Sequence, residues 1–355
     1  MNRQVRVRMR IRVLHNPTAG RQAATALAEA FDHALRAAGH EVEFSPVGKG
    51  SPRLDLPVVL REAEAVVVIG GDGTVQRAAA AISGLRIPLY HVPAGNENLF
   101  ARHFRMSRSP ADLVAALESP RSAQVDLGIV RSTSHPGGDE HPFTLMCSVG
   151  YDANVVHRLA AARPKRVGSW TYVPHAMREL RRPALAPLLI EVDGEPIVSA
   201  QRGTVVIANS RQYACRLDPA PGALMDDGQL DVVFLPHRTR LGLLGRAIQA
   251  RGRRLGASRE AVTARGTTVR IASLGRPMLV QIDGEAPARS AQGASNPPLR
   301  TPIELTVRAA ALTVLRPVSA QARRGFRPPG EDPVGRGTRR PTLAEEPSPA
   351  PVARS

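Results

Sequence analysis

The chain has little cysteine, few aromatic residues and no long apolar run, and each shortage excludes a class of protein. Two cysteines, Cys147 and Cys215, are too few for a disulfide framework and suit a reducing compartment. Aromatic residues make up 3% of the 355 residues, so few rings are present on which nucleic-acid bases could stack. No apolar run reaches the roughly 18 residues that a membrane-spanning helix needs. We therefore expect no specific nucleic-acid partner and only peripheral contact with lipid.

Lysine is also scarce, although the chain is strongly basic. The formal net charge is +17, and Lys49 and Lys165 are the only lysines, so arginine supplies almost all of the positive charge. Such a charge favours partners that carry phosphate, including nucleotides and anionic membrane surfaces. A high arginine content can also reflect genome composition. Residues 1–12 lack the apolar core of a signal peptide, which favours a cytoplasmic location.

The most informative segment is a glycine-rich turn that follows an apolar run. Residues 65–69 predict a buried strand, and residues 75–82 predict a helix. Between them lie, in order, Gly70, Gly71, Asp72, Gly73 and Thr74. Backbone N–H groups in such a turn and at the start of a helix can bind phosphate. The central carboxylate would repel phosphate unless a metal ion bridges them or the acid takes part in proton transfer, so the turn indicates phosphoryl transfer.

The pattern of elements changes once along the chain. Before residue 125, predicted strands at 5–14, 41–46, 65–69 and 88–92 alternate with helices such as 22–38, which predicts a parallel, doubly wound α/β domain. After it, short strands and turns predict a mainly β, sandwich-like domain. The predicted strands of that second region lie at 127–131, 143–148, 188–192, 203–209, 230–235, 268–271, 279–283, 303–307 and 311–315.

These patterns predict three parts. Residues 1–125, with a returning segment at 303–317, form the α/β domain, and residues 126–302 form the β-rich domain. Residues 318–355 form a basic tail rich in Pro, Arg, Gly and Glu, which we expect to be disordered because it can bury little apolar surface.

A series of motifs resembles the diacylglycerol kinase and lipid kinase family, of the soluble bacterial type, which shares its fold with the NAD kinases. The motifs are the turn 16–20, the glycine loop 70–74, a second glycine motif 93–102, and acidic segments at 125–128, 148–153, 226–231 and 282–285. They occur in the family's order and cover residues 12–317. The resemblance implies an NAD kinase/diacylglycerol kinase-like fold and a reaction that uses ATP and Mg²⁺. It also implies that residues 1–125, with 303–317, are the ATP-binding catalytic domain and that residues 126–302 are the acceptor domain for the lipid.

The resemblance also implies roles for particular residues. Asp72 would lie near the ATP phosphates, through Mg²⁺ or as the base, and Thr74 could bind phosphate or cap the helix. The predicted nucleotide-binding residues are Asn16, Gly70, Gly71, Gly73, Thr74, Gly95, Asn96 and Asn98.

The second glycine motif departs from the family's pattern. The family carries Thr after the glycine and Asn-Asp two places later, whereas this chain has Asn96, Asn98 and Leu99. Leu99 removes a carboxylate, and Glu97 supplies one two residues earlier. Asn96 can still donate a hydrogen bond to phosphate, but it differs from a hydroxyl in size and geometry.

Two later acidic motifs complete the candidate site. Glu285, in Asp283-Gly284-Glu285, is the second catalytic candidate, because a tight turn would project its carboxylate from the end of a strand. The same tripeptide occurs at residues 193–195 and is also an ordinary hairpin turn; sequence order favours the later copy. Asp227 and Asp231 offer hard oxygen ligands, suited to Mg²⁺ or Ca²⁺. The resemblance implies a structural Mg²⁺ held by one carboxylate, that of Asp227, and by backbone carbonyls, while Asp231 could join it, serve the active site or cap the strand.

The sequence thus predicts a lipid kinase that transfers the γ-phosphoryl group of ATP to a diacylglycerol-like or sphingoid-like hydroxyl at an anionic membrane surface. Either Asp72 or Glu285 would activate the hydroxyl. An NAD kinase-like enzyme and a degenerate nucleotide- or lipid-binding protein are the alternatives. Basic helical stretches at 173–182 and 241–255 could contact lipid or pack on their own domain. The sequence leaves a homodimer open.

Overall fold

A computed structural model describes residues 8–48, 54–134, 139–162, 175, 178–179, 185–213, 218–236, 260–287 and 297–318. Several predictions fall outside these residues. They are most of the predicted helix 173–182, the predicted helix 241–255, Cys215 and the predicted tail from residue 319 onward.

The described residues form fourteen strands and six α-helices. The strands are β1 (Arg10–His15), β2 (Glu41–Pro46), β3 (Ala65–Gly70), β4 (Leu89–Pro93), β5 (Ser122–Ser132), β6 (His141–Phe143), β7 (Met146–Val149), β8 (Pro187–Val192), β9 (Glu195–Ala208), β10 (Leu230–Pro236), β11 (Val262–Gly266), β12 (Thr268–Ser273), β13 (Val280–Ile282) and β14 (Ile303–Leu315). The helices are α1 (Ala23–Ala37), α2 (Leu56–Leu60), α3 (Asp72–Ile82), α4 (Leu99–Phe104), α5 (Pro110–Glu118) and α6 (Tyr151–Ala162).

The first region is a parallel sheet with strand order β2-β1-β3-β4. Every residue of β3 is buried, as expected for a central parallel strand that helices cover on both faces. The end of β14 returns to this sheet and pairs in parallel with β4, with Val314 opposite Leu89. The carboxyl ends of β3 and β4 meet at one edge, where open α/β sheets bind their ligands.

The second region is antiparallel and β-rich. One set of strands pairs β9, β8, β12 and β14, and a second set pairs β13, β7, β9, β10 and β11. The α/β region has its own buried core, which includes Phe31 and Val67, and the β-rich region has another, which includes Val205, Phe234 and Ile271. An α/β region followed by a mainly β region confirms the predicted fold class.

Two differences from the predicted strands have a physical cause. The predicted strand 143–148 is divided into β6 and β7, because the N–H groups of Thr144 and Leu145 donate to the Asp283 carboxylate. The predicted strands 303–307 and 311–315 are one strand, β14, with an irregularity between Arg308 and Leu312. None of the helices in the described residues is long and apolar enough to cross a membrane.

Candidate active site

Two glycine loops pack against each other at the carboxyl ends of β3 and β4. Gly71 is the N-cap of α3 in an extended conformation. A Cβ atom on Gly95 would lie 2.6 Å from the Cα atom of Gly71, so only glycine permits this approach. The N–H of Gly95 also donates to the carbonyl of Gly70 at 3.2 Å. The predicted residues Gly70, Gly71 and Gly95 therefore form one tight backbone surface beside the start of α3.

Asp72 is the first residue of α3, and its carboxylate holds the second loop. One oxygen accepts the N–H of Leu99 and the other accepts the N–H of Phe100, each at 3.0 Å. A carboxylate at this position caps α4, whose first N–H groups have no partner within the helix. Asp72 therefore orients the loop that precedes α4, while its side chain stays partly exposed.

Asn98 shapes the second loop from within. Its backbone is left-handed, with φ of 49°, a conformation that asparagine tolerates better than most residues. Its side-chain oxygen accepts the N–H of Gly95 at 2.8 Å, and its amide nitrogen donates to the carbonyl of Gly95 at 2.7 Å. Asn96 is exposed on the same loop. The Leu99 side chain is buried, so it packs in the core and faces away from solvent.

Glu97, the acid that could replace the missing carboxylate, contacts Arg102. The two side chains form an ion pair at 3.8 Å between Oε2 and Nη1. This contact directs the Glu97 carboxylate toward α4.

Asn16 and Thr74 support the first loop. The N–H of Asn16 donates to the carbonyl of Ile69 at 2.9 Å, which fixes the turn after β1 beside the end of β3. The Asn16 side-chain oxygen accepts from the N–H and the hydroxyl of Thr18. Thr74 is buried, and a Cβ atom on Gly70 would lie 2.7 Å from its hydroxyl oxygen. Both side chains therefore define the shape of the loop.

His91 supports the same loop from below and is absent from the predicted residues. It is fully buried in β4, and its Nε2 lies 3.0 Å from the carbonyl oxygen of Gly70. Burial lowers the pKa of His91, so the imidazole is neutral and its Nε2–H donates to Gly70. The signal in the sequence is a histidine inside an otherwise apolar strand.

Glu285 reaches the glycine loop from the β-rich region. Asp283 and Gly284 have φ of 49° and 80°, the pattern of a type I′ turn. The turn is closed by backbone hydrogen bonds between Ile282 and Glu285 in both directions. A Cβ atom on Gly73 would lie 3.0 Å from Oε1 of Glu285. The Glu285 carboxylate therefore lies against the first turn of α3.

The surroundings of Glu285 affect its protonation. Desolvation by the surrounding protein raises the pKa of its carboxyl, and the positive charge of Arg77 opposes this effect. Arg77 lies one helical turn after Gly73, and its Nε is 3.4 Å from the carbonyl oxygen of Gly73. Glu285 and Arg77 therefore flank the same glycine.

Asp283 anchors the turn that carries Glu285. Its buried carboxylate accepts the N–H groups of Thr144, Leu145 and Met146 and the Thr144 hydroxyl, at 2.8 to 2.9 Å. Burial raises the pKa of Asp283 to about 6, against the lowering effect of these hydrogen bonds. Asp283 belongs to a recognised motif, but its anchoring role depends on partners about 140 residues away.

A polar chain continues from this turn into the β-rich region. Gln281 accepts the N–H of Gly284 at 2.8 Å and donates to the Ser148 hydroxyl at 2.8 Å. The hydroxyls of Ser148 and Tyr213 both donate to Oδ2 of Asp152, at 2.5 and 2.6 Å. The segment 148–153 therefore supports the Glu285 turn through side chains.

Asp227 and Asp231 form a separate cluster around Arg265. The Arg265 guanidinium pairs with Oδ2 of Asp227 and, through Nε at 3.3 Å, with Oδ1 of Asp231. In the part of the chain that the structure describes, no three His, Cys, Asp or Glu side chains gather as a metal site. This arrangement does not fit the expected structural Mg²⁺, because an arginine lies where a cation would neutralise the carboxylates.

Comparisons with known proteins agree with this architecture. Residues 10–130 match the family model of the diacylglycerol kinase catalytic domain, and residues 146–316 match that of the YegS C-terminal NAD kinase beta sandwich-like domain. The two models together span most of the described residues. The chain is therefore a kinase, a phosphotransferase with an alcohol acceptor. It belongs to the diacylglycerol kinase and lipid kinase family.

Individual proteins support the same assignment. A diacylglycerol kinase from Mycobacterium tuberculosis (strain ATCC 25618 / H37Rv) is 28% identical over 238 residues, which cover 66% of this chain and 76% of the relative. A protein named "Probable lipid kinase YegS-like" from Xanthomonas campestris pv. campestris is 28% identical over 232 residues, covering 62% and 72%. The crystal structure of a diacylglycerol kinase from Bacillus anthracis superposes with a TM-score of 0.60 at 16% identity, covering 88% of this chain and 98% of that chain, which shows the fold.

Proposed function

We propose that the chain transfers the γ-phosphoryl group of ATP to a lipid hydroxyl, diacylglycerol-like or sphingoid-like, at a membrane surface. One observation carries this proposal: the Glu285 carboxylate of the β-rich region lies against Gly73, in the first turn of α3. A phosphate site at the start of a helix and a carboxylate beside it are the two groups that phosphoryl transfer to a hydroxyl requires.

The two glycine loops are the proposed site for the ATP phosphates. The first N–H groups of α3 have no acceptor within the helix, so those of Asp72 and Gly73 are available to bind phosphate oxygens. Gly70, Gly71 and Gly95 permit close approach. The side chains of Asn16, Thr74 and Asn98 hold the loops in shape. Asn96 is exposed on the second loop, where it would contact the nucleotide.

Asp72 is the proposed ligand for the Mg²⁺ that accompanies ATP. Each of its oxygens accepts one N–H and keeps a lone pair, and the side chain is partly exposed, so the donor set fits a hard cation. Such an ion would neutralise the charge that develops on the phosphate oxygens. Because both Asp72 oxygens cap α4, we assign proton transfer to the other carboxylate.

Glu285 is the proposed general base. Its carboxylate lies beside the first turn of α3, where an acceptor hydroxyl would approach, and Oε1 would accept the hydroxyl proton. A raised pKa favours this role, because a base with a pKa nearer the working pH transfers protons more effectively. In-line positioning by the glycine loops would supply most of the remaining rate enhancement.

The membrane and cellular parts of the proposal depend on charge and family resemblance. A net charge of +17 would attract the enzyme to anionic lipid on the cytoplasmic side, where its substrate lies. We expect sedimentation with anionic vesicles, weakening as salt rises, and little sedimentation with zwitterionic vesicles. Equal sedimentation with both vesicle types would contradict the peripheral association. Light scattering, which measures molar mass in solution, would show whether the protein forms a homodimer.

The test of the proposed activity is phosphoryl transfer from γ-labelled ATP with Mg²⁺. Acceptors are mixed vesicles that each contain one hydroxylated lipid, diacylglycerol or a sphingoid base, and NAD in solution. We expect label on a lipid and none on NAD. The Glu285→Gln variant should lower kcat by about 100-fold or more, and Glu195→Gln, in the other copy of the tripeptide, should leave it unchanged.

Asp72→Asn should also lower the rate, because an amide offers one acceptor oxygen to the two N–H groups of α4. Label on NAD, or on no acceptor, would contradict the lipid kinase function. Equal rates for wild type, Asp72→Asn and Glu285→Gln would contradict the site assignment while leaving the lipid kinase activity intact.

A further inference from the structure

We propose that Arg265 is the built-in cation of the acidic cluster formed by Asp227 and Asp231, so that this region of the fold needs no structural Mg²⁺. The cluster lies at the turn before β10, which hydrogen bonds of Asp126 tie to β5 and β14. The proposal concerns stability and is independent of the nucleotide-bound Mg²⁺ of the reaction.

The strand register places the arginine opposite one of the two acids. Arg265 of β11 lies directly across from Asp231 of β10. Its Nε is 3.3 Å from Oδ1 of Asp231, and its Nη2 pairs with Oδ2 of Asp227 in the turn just before β10. Because β-strand register fixes cross-strand neighbours, the guanidinium is held between the two carboxylates by the sheet itself.

The cluster needs positive charge because several carboxylates gather there. Burial, together with the charges of Asp126 and Asp227, raises the pKa of Asp226, and burial, together with the charge of Asp227, raises the pKa of Asp231. Arg265 opposes this effect at Asp231. The side chains of Asp227 and Asp231 are only 21% and 16% exposed, so water screens their repulsion incompletely.

The same turn is tied to the rest of the molecule by Asp126. One oxygen of its buried carboxylate accepts the N–H of Gly228, and the other accepts the N–H of Ala310 in β14, each at 2.7 Å. The backbone N–H of Asp126 donates to the carbonyl of Met225 at 2.7 Å. A cation at Asp227 therefore stabilises a junction of the turn, β5 and β14.

Three of the four carboxylate oxygens of Asp227 and Asp231 are already engaged. Oδ1 of Asp227 accepts the N–H of Gln229 at 3.1 Å, and Oδ2 pairs with Arg265. Oδ1 of Asp231 pairs with Arg265, and its buried Oδ2 is the one oxygen of the pair with no hydrogen-bond partner among the described residues. Mg²⁺ requires near-octahedral oxygen ligands and is repelled by a guanidinium in the same space.

The experiment is thermal unfolding of the full chain without nucleotide, with and without millimolar MgCl₂, and with NaCl of equal ionic strength. We expect the Tm of the wild type to be the same in both salts. Arg265→Ala should lower the Tm by several degrees, and Mg²⁺ should raise the Tm of this variant alone. The Tm of Arg265→Lys, which keeps the charge, should lie between those of the wild type and Arg265→Ala and should not respond to Mg²⁺.

Arg270→Ala is the matched control. Arg270 of β12 also lies directly opposite an acid, Glu304 of β14, with Nε 2.8 Å from Oε2. Glu191 of β8 lies opposite Arg270 on the other side and attracts it over a longer distance, but among the described residues only Glu304 forms an ion pair with it. We expect its removal to lower the Tm less and to create no response to Mg²⁺. The proposal is overturned if Mg²⁺ raises the wild-type Tm and Asp227→Asn abolishes that rise, or if Arg265→Ala lowers the Tm no more than Arg270→Ala.

Discussion

The chain contains the tripeptide Asp-Gly-Glu in two hairpins that have the same local structure and different surroundings. In the first, between β8 and β9, Asp193 and Gly194 have φ of 49° and 89°, and in the second, Asp283 and Gly284 have φ of 49° and 80°. Both are therefore type I′ turns, in which the left-handed conformation of both central residues favours Asp and Gly. Local sequence determines the turn in each case.

The difference lies in what each aspartate meets. Asp193 is exposed and accepts the N–H and hydroxyl of Thr267 and the N–H of Thr268. Asp283 is buried and accepts four donors from residues 144–146. Only the second hairpin directs its glutamate at the glycine loop. The tripeptide therefore supplies a turn in both places, and long-range packing decides which copy can act on a substrate.

The largest expected difference between the two hairpins is in the effect of replacing each aspartate by asparagine. Asp283→Asn should lower the free energy of unfolding by about 2 kcal/mol or more, because the amide leaves buried N–H groups unpaired. It should also lower kcat by about 100-fold, since Glu285 loses its fixed position. Asp193→Asn, at the exposed turn, should cost less than about 1 kcal/mol and leave the rate unchanged. Urea unfolding and initial rates measure both effects. Similar losses in the two variants would remove the distinction between the hairpins.

The second prediction concerns protonation of the same two aspartates, whose pKa values shift in opposite directions. Burial raises the pKa of Asp283 to about 6, whereas hydrogen bonds to Thr268 and Thr267 lower the pKa of Asp193 below its usual value. Because the folded state binds the Asp283 proton more tightly than the unfolded chain, this group lowers the free energy of unfolding as pH rises from about 4 to 6, by about 3 kcal/mol in full.

Asp193 acts in the reverse sense. The contribution of Asp193 to the free energy of unfolding is present above the ordinary pKa of aspartate and is lost as pH falls through the lowered pKa of the folded state. Titration of ¹³C-labelled aspartate carboxyl carbons by NMR measures both groups, with Asp283→Asn and Asp193→Asn to assign the signals. A signal near pH 6 that persists in Asp283→Asn would contradict the assignment.

The third prediction tests the contact that only the second hairpin makes. Gly73→Ala would place a Cβ atom 3.0 Å from Oε1 of Glu285, so the carboxylate must move by a few tenths of an ångström. We expect kcat to fall by about 10-fold while the Tm stays level or rises, since alanine favours a helix. Gly222→Ala, whose Cβ would meet no atom within 4 Å, is the control. An unchanged rate in Gly73→Ala would show that Glu285 need not touch the loop.

Local patterns in the sequence predicted much of this fold. The strand β2 occurs at the predicted residues 41–46, and β3 leads through the glycines into α3 as expected. Apolar periodicity and turn residues are local signals, and the structure contains these elements where the signals predict them. The later copy of Asp-Gly-Glu was also favoured by sequence order, and it is the copy that lies beside Gly73.

The parts that escaped prediction depend on contacts between distant residues. The N–H partners of Asp72 lie 27 and 28 residues away, and those of Asp283 lie nearly 140 residues away. Arg265 meets Asp231 only because β10 and β11 pair in a particular register. No local pattern distinguishes a carboxylate that caps a helix from one that binds a metal, because both need acidic residues beside glycine in a turn.

The smallest predicted effect concerns Arg77, the cation that faces Glu285 and has no described counterpart beside Glu195. Its positive charge lowers the pKa of Glu285 against the raising effect of desolvation. Arg77→Gln should therefore raise the pKa of Glu285 further, and a base must be deprotonated to act. We expect the acidic limb of the kcat/KM profile to move to higher pH, with the plateau rate nearly unchanged. Since Arg77 is exposed, high salt should reduce the difference between the variant and the wild type. A limb that stays in place, or one that moves equally in Glu195→Gln, would mean that Glu285 is not the group whose ionisation limits the rate.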